Sequence, residues 1–362
     1  LSTLGSGAVR AETPISVVAS FSNLGDMVEQ VGGEFVSVEP LVGPNGDTHV
    51  YQPPPAAARA VQGADILVVN GLEFEGWLDR LAEAAAFDGT LVVATTGIEP
   101  IAYGDAHDDH HGDAHAGHDH DEPEAHGGHD DHAHHAEESG GHDDLEHHGE
   151  DEADHAHHAE EHAGHEDHED HGEDHASHED HHGHDHGAFD PHAWQSLDNA
   201  VVYVDAITAA LAQADPSNAS AFYQNRAAYV AEIEALDAEI HTLMDALPEA
   251  QRTVVTSHDA FQYFGRDYGL TFLAPQGLST ESEASAKDVA ELLERMRADG
   301  VSAVFLENIS DSRLLEQIAR ETGASIGGTL YPGALSEQDG PAATYLDMMR
   351  HNAVTLTSAL GS

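Results

Sequence analysis

The side chains best suited to chemistry in this sequence are histidines, of which there are 32, while cysteine is absent. Between residues 105 and 186 there are 27 of them, and five stand elsewhere. Because no thiolate is available, a metal site must use imidazole or carboxylate ligands, and a nitrogen-rich set suits zinc. Outside the histidine-rich tract, such a site depends on which of the five scattered histidines meet in the fold.

Three of these five share a context that favours ligand binding. His49 stands in a Gly/Pro-rich loop after a predicted strand, His192 in an Asp-Pro-His turn before a helix, and His258 directly after a predicted strand. Loops at the carboxyl ends of parallel strands bind ligands in α/β proteins. Three imidazoles that met there would suit zinc, although three unrelated loop histidines would give the same pattern. For His241, inside a long predicted helix, and His351, late in the last one, we expect structural or surface roles.

The chain around these histidines alternates short β-branched runs with helical stretches, which is typical of α/β lobes with parallel sheets. The first lobe, residues 12–104, has predicted strands at 15–20, 35–41, 66–70 and 91–94 and helices at 23–31 and 56–63. Residues 187–214 return to this lobe, with a helix at 197–211. The second lobe, 249–362, has predicted strands at 253–257, 271–274, 303–307 and 324–327 and helices at 260–268, 284–298, 312–322 and 342–360. The predicted fold is α/β, with two lobes and a binding cleft between them.

One long helix is predicted between the lobes, over residues 215–248. Asp215 can cap it, Pro216 suits its first turn and Pro248 ends it. Apolar residues recur along it at steps of three and four, with one interruption at Arg226. Because thirty helical residues span about 45 Å, we expect a rigid helix that braces both lobes.

The tract from 105 to 186 combines its 27 histidines with 30 acidic residues and contains no Lys or Arg. Almost no apolar side chain larger than alanine occurs there, so nothing offsets the entropy of ordering it, and we predict a disordered loop. Neutral imidazoles bind zinc weakly near pH 7, and the carboxylates attract cations. We hypothesise a low-affinity zinc antenna; the alternative is a solvated tract with incidental metal affinity.

The formal net charge of −56 excludes nucleic acid as a partner, since it repels phosphate. Residues 1–11 end in Val9-Arg10-Ala11, which fits a signal-peptidase site. We therefore expect the remnant of a secretory signal cleaved after Ala11, the alternative being an ordinary ragged terminus. With no cysteine to carry a lipid, we expect a soluble periplasmic protein.

Six motifs, in order along the chain, resemble the zinc/manganese class of ABC-transporter solute-binding proteins. They are FSNLGDMVEQVGG (21–33), GDTHVYQP (46–53), NGLEFEGWL (70–78), DPHAW (190–194), SHDAFQYF (257–264) and YLDMMRHN (345–352). The match runs from about residue 15 to the C-terminus, and the histidine-rich insertion precedes Asp-Pro-His, as it does in zinc-specific members.

The resemblance implies two lobes joined by one rigid helix, with a metal held at their interface by His49, His192 and His258. It implies Zn²⁺ as the transported ligand, with Mn²⁺ disfavoured because three histidines offer soft nitrogen donors. It also implies a membrane permease and its ATPase as partners and admits a zinc metallochaperone, and we expect a monomer. A manganese carrier, a zinc buffer and an adhesin remain alternatives. A zinc hydrolase is disfavoured, because no HExxH helix or serine nucleophile elbow occurs.

The sequence does not assign the fourth ligand of the expected metal site. Many members of the class supply an acid near the segment that reads LYPGALS here, and no acid stands in it. Water, a histidine of the insertion, or a carboxylate such as Glu337 or Asp339 could take the fourth position. Asp47, Asp190 and Asp259 are expected to orient the imidazole rings as hydrogen-bond acceptors.

Overall fold

The computed structural model describes residues 13–103 and 188–361. The predictions for the export signal, residues 1–11, and for the histidine-rich tract, residues 105–186, lie outside these residues. Within the described residues, no helix combines the length and the apolar character that crossing a bilayer requires.

The first lobe is built on a parallel sheet. Its strands are β1 (Ile15–Phe21), β2 (Val36–Val42), β3 (Ile66–Val69) and β4 (Thr90–Val93), in the order β2-β1-β3-β4. Its helices are α1 (Ser22–Gly32), α2 (Pro55–Gln62), α3 (Leu78–Ala85) and α4 (Leu197–Ala214). The central strand β3 is buried along its whole length, which is why it appears in the sequence as a continuous apolar run. Helix α3 was not predicted from the sequence; it is only eight residues long and buries Leu81 and Ala85.

A long helix, α5 (Ala219–Asp245), follows the first lobe and runs for 27 residues, or about 40 Å. The predicted start at 215 was wrong. The Asp215 carboxylate accepts hydrogen bonds from the backbone N–H groups of Ser217 (3.0 Å) and Asn218 (3.3 Å), so it closes a separate turn before the helix. At the other end, α5 stops at Asp245, before Pro248.

The second lobe repeats the parallel arrangement. Its strands are β5 (Thr253–Val255), β6 (Thr271–Leu273), β7 (Ala303–Glu307) and β8 (Ser325–Leu330), in the order β6-β5-β7-β8. Its helices are α6 (Gln262–Tyr268), α7 (Ala286–Asp299), α8 (Arg313–Thr322) and α9 (Tyr345–Leu360). The predicted α/β class with two lobes is therefore confirmed.

One hydrophobic core runs through both lobes and the long helix. It includes Val17 of the first sheet, Leu236 of α5, and Phe264 and Met348 of the second lobe. Helix α5 packs against α1 and α4 of the first lobe and against α6 and α9 of the second. A smaller cluster lies between the second sheet and helices α7 and α8. Because both lobes share packing with α5, their relative position is set by a common core.

This arrangement predicts a large effect from truncating the buried face of α5. Leu236 is 1% exposed, and Leu236→Ala should lower the free energy of unfolding by about 2–5 kcal/mol, because it leaves a cavity in the shared core. Urea denaturation followed by circular dichroism measures the loss. Glu234→Ala, two residues away and exposed, serves as the control and should change the free energy by less than about 0.5 kcal/mol. Equal effects at the two positions would contradict the packing.

Candidate metal centre

His49 lies in the loop that follows β2. Asp47 Oδ1 accepts a hydrogen bond from the backbone N–H of His49 (2.9 Å), and Asp47 Oδ2 accepts one from the Thr280 hydroxyl of the second lobe (2.6 Å). His49 is half-buried and borders an open groove of about 1090 Å³. Its loop is therefore fastened to both lobes, while one side of the loop faces solvent.

His192 lies in a turn that precedes a short 3-10 helix (Ala193–Gln195). Asp190 Oδ1 accepts hydrogen bonds from both the backbone N–H (2.9 Å) and the ring Nδ1 (2.8 Å) of His192. The carbonyl of Pro191 accepts one from Asn70 Nδ2, at the end of β3 (2.9 Å). These contacts fix the imidazole within the first lobe and leave its Nε2 available.

His258 follows β5 in the second lobe and is held by Glu307, the last residue of β7. Glu307 Oε2 accepts hydrogen bonds from His258 Nδ1 (2.6 Å) and from the Ser310 hydroxyl (2.8 Å). Glu307 Oε1 accepts from the backbone N–H groups of Ser257 (2.9 Å) and His258 (3.1 Å). Among the described residues, nothing pairs with the buried Nε2 of His258. A buried nitrogen without a partner is costly unless a ligand uses it.

The three predicted histidines meet. One ring nitrogen from each lies within 4.8 Å of the others, and His49 Nε2 stands 3.3 Å from His192 Nε2. Tetrahedral zinc with bonds of about 2.0–2.1 Å holds its nitrogen ligands about 3.3 Å apart. Because Asp190 and Glu307 accept hydrogen bonds from Nδ1, the neutral rings of His192 and His258 present the lone pairs of their Nε2 atoms. The spacing and the donor set therefore fit a metal ion.

Burial controls the charge of this cluster. Burial, and after it the neighbouring imidazoles, lowers the pKa of His49 and of His192 well below the ordinary value. Burial also raises the pKa of Asp190 to about 7. Burial alone would lower the pKa of His258, but the Glu307 carboxylate outweighs it and raises that pKa. Burial disfavours the ionised form of Glu307, yet His258 keeps the Glu307 pKa below its usual value.

The three histidines line a small cavity, and its remaining sides are largely apolar. Phe74, Trp194, Ile309 and Gly333 line it together with the histidines and the segment from Gly46 to Thr48. Within the described ranges, no carboxylate joins the three histidines as a fourth ligand candidate. The two carboxylates considered from the sequence, Glu337 and Asp339, are exposed and do not line the cavity.

The acids predicted to orient the rings have different outcomes. Asp190 contacts the ring of His192 as predicted. Asp47 holds the backbone of His49, and the Asp259 carboxylate accepts a hydrogen bond from Gln262. Glu307, which holds His258, was not predicted. The available signal was its place at the end of a strand, on the sheet edge where His258 follows β5.

The other two scattered histidines lie apart from the cluster. His241 is exposed on α5, with its Nε2 3.7 Å from Asp237 Oδ2. His351 Nε2 lies 3.0 Å from the Thr329 carbonyl oxygen. Both positions agree with the structural or surface roles predicted for them.

The hydrogen bonds predict the tautomers of the buried rings in metal-free protein. At about pH 8, His192 and His258 should carry their proton on Nδ1, because the facing carboxylates only accept. His351 is an internal control for the opposite tautomer, with its proton on Nε2, because this nitrogen must donate to the Thr329 carbonyl. Long-range ¹⁵N–¹H correlation spectra distinguish the tautomers, with signals assigned by loss in each His→Ala variant. A neutral ring that carries its proton on Nε2, at His192 or His258, would contradict the geometry.

Comparison with known proteins gives a consistent result. The family model described as zinc-uptake complex component A, periplasmic, matches residues 17–139 and 139–359. The manganese-binding lipoprotein MntA of Halalkalibacterium halodurans is 27% identical over 346 residues, covering 96% of this chain and 88% of that protein. The iron-binding protein YfeA of Yersinia pestis is 25% identical over 345 residues, covering 95% of this chain and 86% of that protein.

A solved structure shows the same fold. The periplasmic zinc-binding protein TroA of Treponema pallidum matches with a TM-score of 0.71 at 22% identity, covering 96% of this chain and 99% of that chain. The family model accounts for most of the sequence, including the segments that carry all three clustered histidines. The chain thus belongs to the zinc-uptake complex component A family, the periplasmic metal-binding proteins that serve as substrate-binding components of ABC transporters.

Proposed function

We propose that this protein captures Zn²⁺ with His49, His192 and His258 and delivers it to the membrane permease of an ABC importer. The observation that carries the proposal is the convergence of three ring nitrogens within 4.8 Å. Two of the rings are already fastened through Nδ1 to buried carboxylates, which leaves Nε2 of each free to bind a cation. Such outer carboxylates orient metal-binding imidazoles and make them better ligands.

The donor set supports zinc over manganese. Relatives of this chain carry names for manganese, iron and zinc binding, so membership of the family does not choose the metal. Manganese prefers oxygen-rich sites of higher coordination, whereas imidazole suits zinc. In the described part of the chain, the cluster holds three nitrogens and no carboxylate ligand, and Ile309 and Gly333 line another side of the cavity. A four-coordinate ion with one small exogenous ligand fits this space better than a six-coordinate one.

The cargo role follows from where the cluster lies. The first lobe supplies His49 and His192 and the second supplies His258, so a bound ion touches both lobes and a change in their contact would expose it. His49 borders the open groove, which gives the ion a route to solvent or to a partner. We propose an exported monomer that works with a permease and its ATPase and that can receive zinc from a metallochaperone.

Metal competition tests the site. With a chromophoric chelator that outcompetes weak histidine sites, the full chain should retain one Zn²⁺ and bind Mn²⁺ far more weakly. His192→Ala should weaken zinc binding by more than about a hundredfold, since even outer partners of metal ligands are worth about 10–100-fold. The matched control is His241→Ala, which removes an exposed histidine and should have no effect. Equal behaviour of the two variants, or tighter manganese binding, would refute the zinc site.

The transport role has its own test. A strain that lacks this protein should grow poorly in zinc-limited medium and take up less radioactive zinc. The wild-type and His241→Ala chains should restore uptake, and His192→Ala should not, because it lacks a ligand of the proposed site. Full uptake with His192→Ala would contradict delivery from the proposed three-histidine site, and unchanged uptake in the strain that lacks the protein would contradict a transport role.

A further inference from the structure

One buried acid of the first lobe has no part in the proposed ligand set. Glu75 lies in the loop between β3 and α3 and is 6% exposed. The donors that hydrogen-bond to it are all neutral groups. Burial raises the pKa of Glu75, because a carboxylate loses its hydration there. An acid at this position therefore costs more free energy than a neutral side chain would.

Glu75 uses both carboxyl oxygens to hold its own loop. Oε1 accepts hydrogen bonds from the Ser20 hydroxyl (2.6 Å) and the backbone N–H of Asn70 (2.7 Å), and Oε2 accepts one from the backbone N–H of Gly71 (3.2 Å). Glutamine could not replace it, because it has one accepting oxygen and its NH₂ group would face a donor. The acid thus joins the ends of β1 and β3 to the loop.

The loop needs this restraint because its backbone is strained. Gly71, Leu72 and Glu73 have positive φ angles of 88°, 53° and 62°. Left-handed backbone costs a residue with a Cβ atom about 1–2 kcal/mol, so two of these three residues favour another conformation. The hydrogen bonds from Asn70 and Gly71 to Glu75 close the loop around them.

The residues on either side of Glu75 support the His49 segment. The ring of Phe74 packs edge-on against the ring of His49, with centroids 4.9 Å apart. Trp77 Nε1 donates a hydrogen bond to the carbonyl of Thr48 (3.0 Å). The loop therefore contacts both the imidazole of His49 and the backbone that precedes it.

His49 depends on this support more than the other two histidines do. Carboxylates hold the rings of His192 and His258. For the ring of His49, the hydrogen-bonding contact found among the described residues is His192 itself. Packing against Phe74 must therefore orient the ring of His49, as hydrogen-bonded carboxylates orient the rings of His192 and His258.

We propose that Glu75 is a positioning residue of the metal centre, which fixes the loop of residues 70–77 and thereby sets the orientation of His49 through Phe74 and Trp77. This inference rests on the proposed function, because it assumes that His49 is a ligand. It assigns to a buried acid outside the ligand set an effect on metal affinity and coordination geometry that is transmitted through His49.

The test uses the full chain and Co²⁺, whose visible absorption reports the number and geometry of its ligands. Glu75→Gln is compared with Glu73→Gln, which removes the same charge from an exposed position in the same loop. Spectra are taken below one equivalent of Co²⁺ with a competing chelator, and the spectrum of the same variant carrying His192→Ala is subtracted. Glu75→Gln should weaken binding by on the order of tenfold and change the spectrum, while Glu73→Gln should leave both unchanged.

A purely structural role gives a different result. If Glu75→Gln lowers the melting temperature but keeps wild-type Co²⁺ affinity and spectrum, the proposal is overturned. If that variant does not fold, Ser20→Ala, which removes one hydrogen bond to Oε1, takes its place. It should weaken binding less but in the same direction, and unchanged binding overturns the proposal. A wild-type chain without a His192-dependent Co²⁺ spectrum would instead refute the proposed function.

Discussion

Three imidazole rings each place one nitrogen within 4.8 Å of the others in a buried space. This arrangement persists only because groups outside the cluster hold each ring. Asp190 and Glu307 accept from Nδ1 of His192 and His258 and so determine that Nε2 points inward. A cation placed among the three nitrogens would be bound by rings that are already oriented, which is the physical basis of a metal centre prepared before the metal arrives.

That constraint extends to the whole molecule, because the three rings come from two lobes. A shift of either lobe would open the cluster, so the lobes must share a rigid support. The common core around α5 supplies it. Closer to the centre, the backbone N–H of Asn45 donates to the carbonyl of Leu335 (2.8 Å), and Thr280 binds Asp47 (2.6 Å). These contacts fasten the loop of His49 to the second lobe.

The buried acids near the centre have different environments and, accordingly, different effects. Glu307 faces an imidazole that can carry a proton, so its charge is compensated. Asp190 faces the ring of His192, whose pKa burial lowers well below the ordinary value, and burial raises the pKa of Asp190 itself to about 7. Glu75 is surrounded by neutral donors and holds backbone. The chain has many acids and a net charge of −56. The role of each of these three acids depends on which groups donate hydrogen bonds to it.

Much of this protein follows from its sequence. Continuous apolar runs locate the strands, because a parallel sheet covered on both faces buries every residue. Positions after predicted strand ends or turns indicated His49, His192 and His258, because α/β proteins bind ligands in the loops at the carboxyl ends of their strands. Local patterns were less reliable at boundaries, since Asp215 caps a turn before α5, and the short helix α3 was not predicted. Only the tertiary structure decided that Glu307 faces His258, 49 residues away, and that Glu75 accepts a hydrogen bond from Ser20, 55 residues away. Such pairings depend on how the sheets and lobes pack, so they cannot be predicted from the residue types near each position in the sequence.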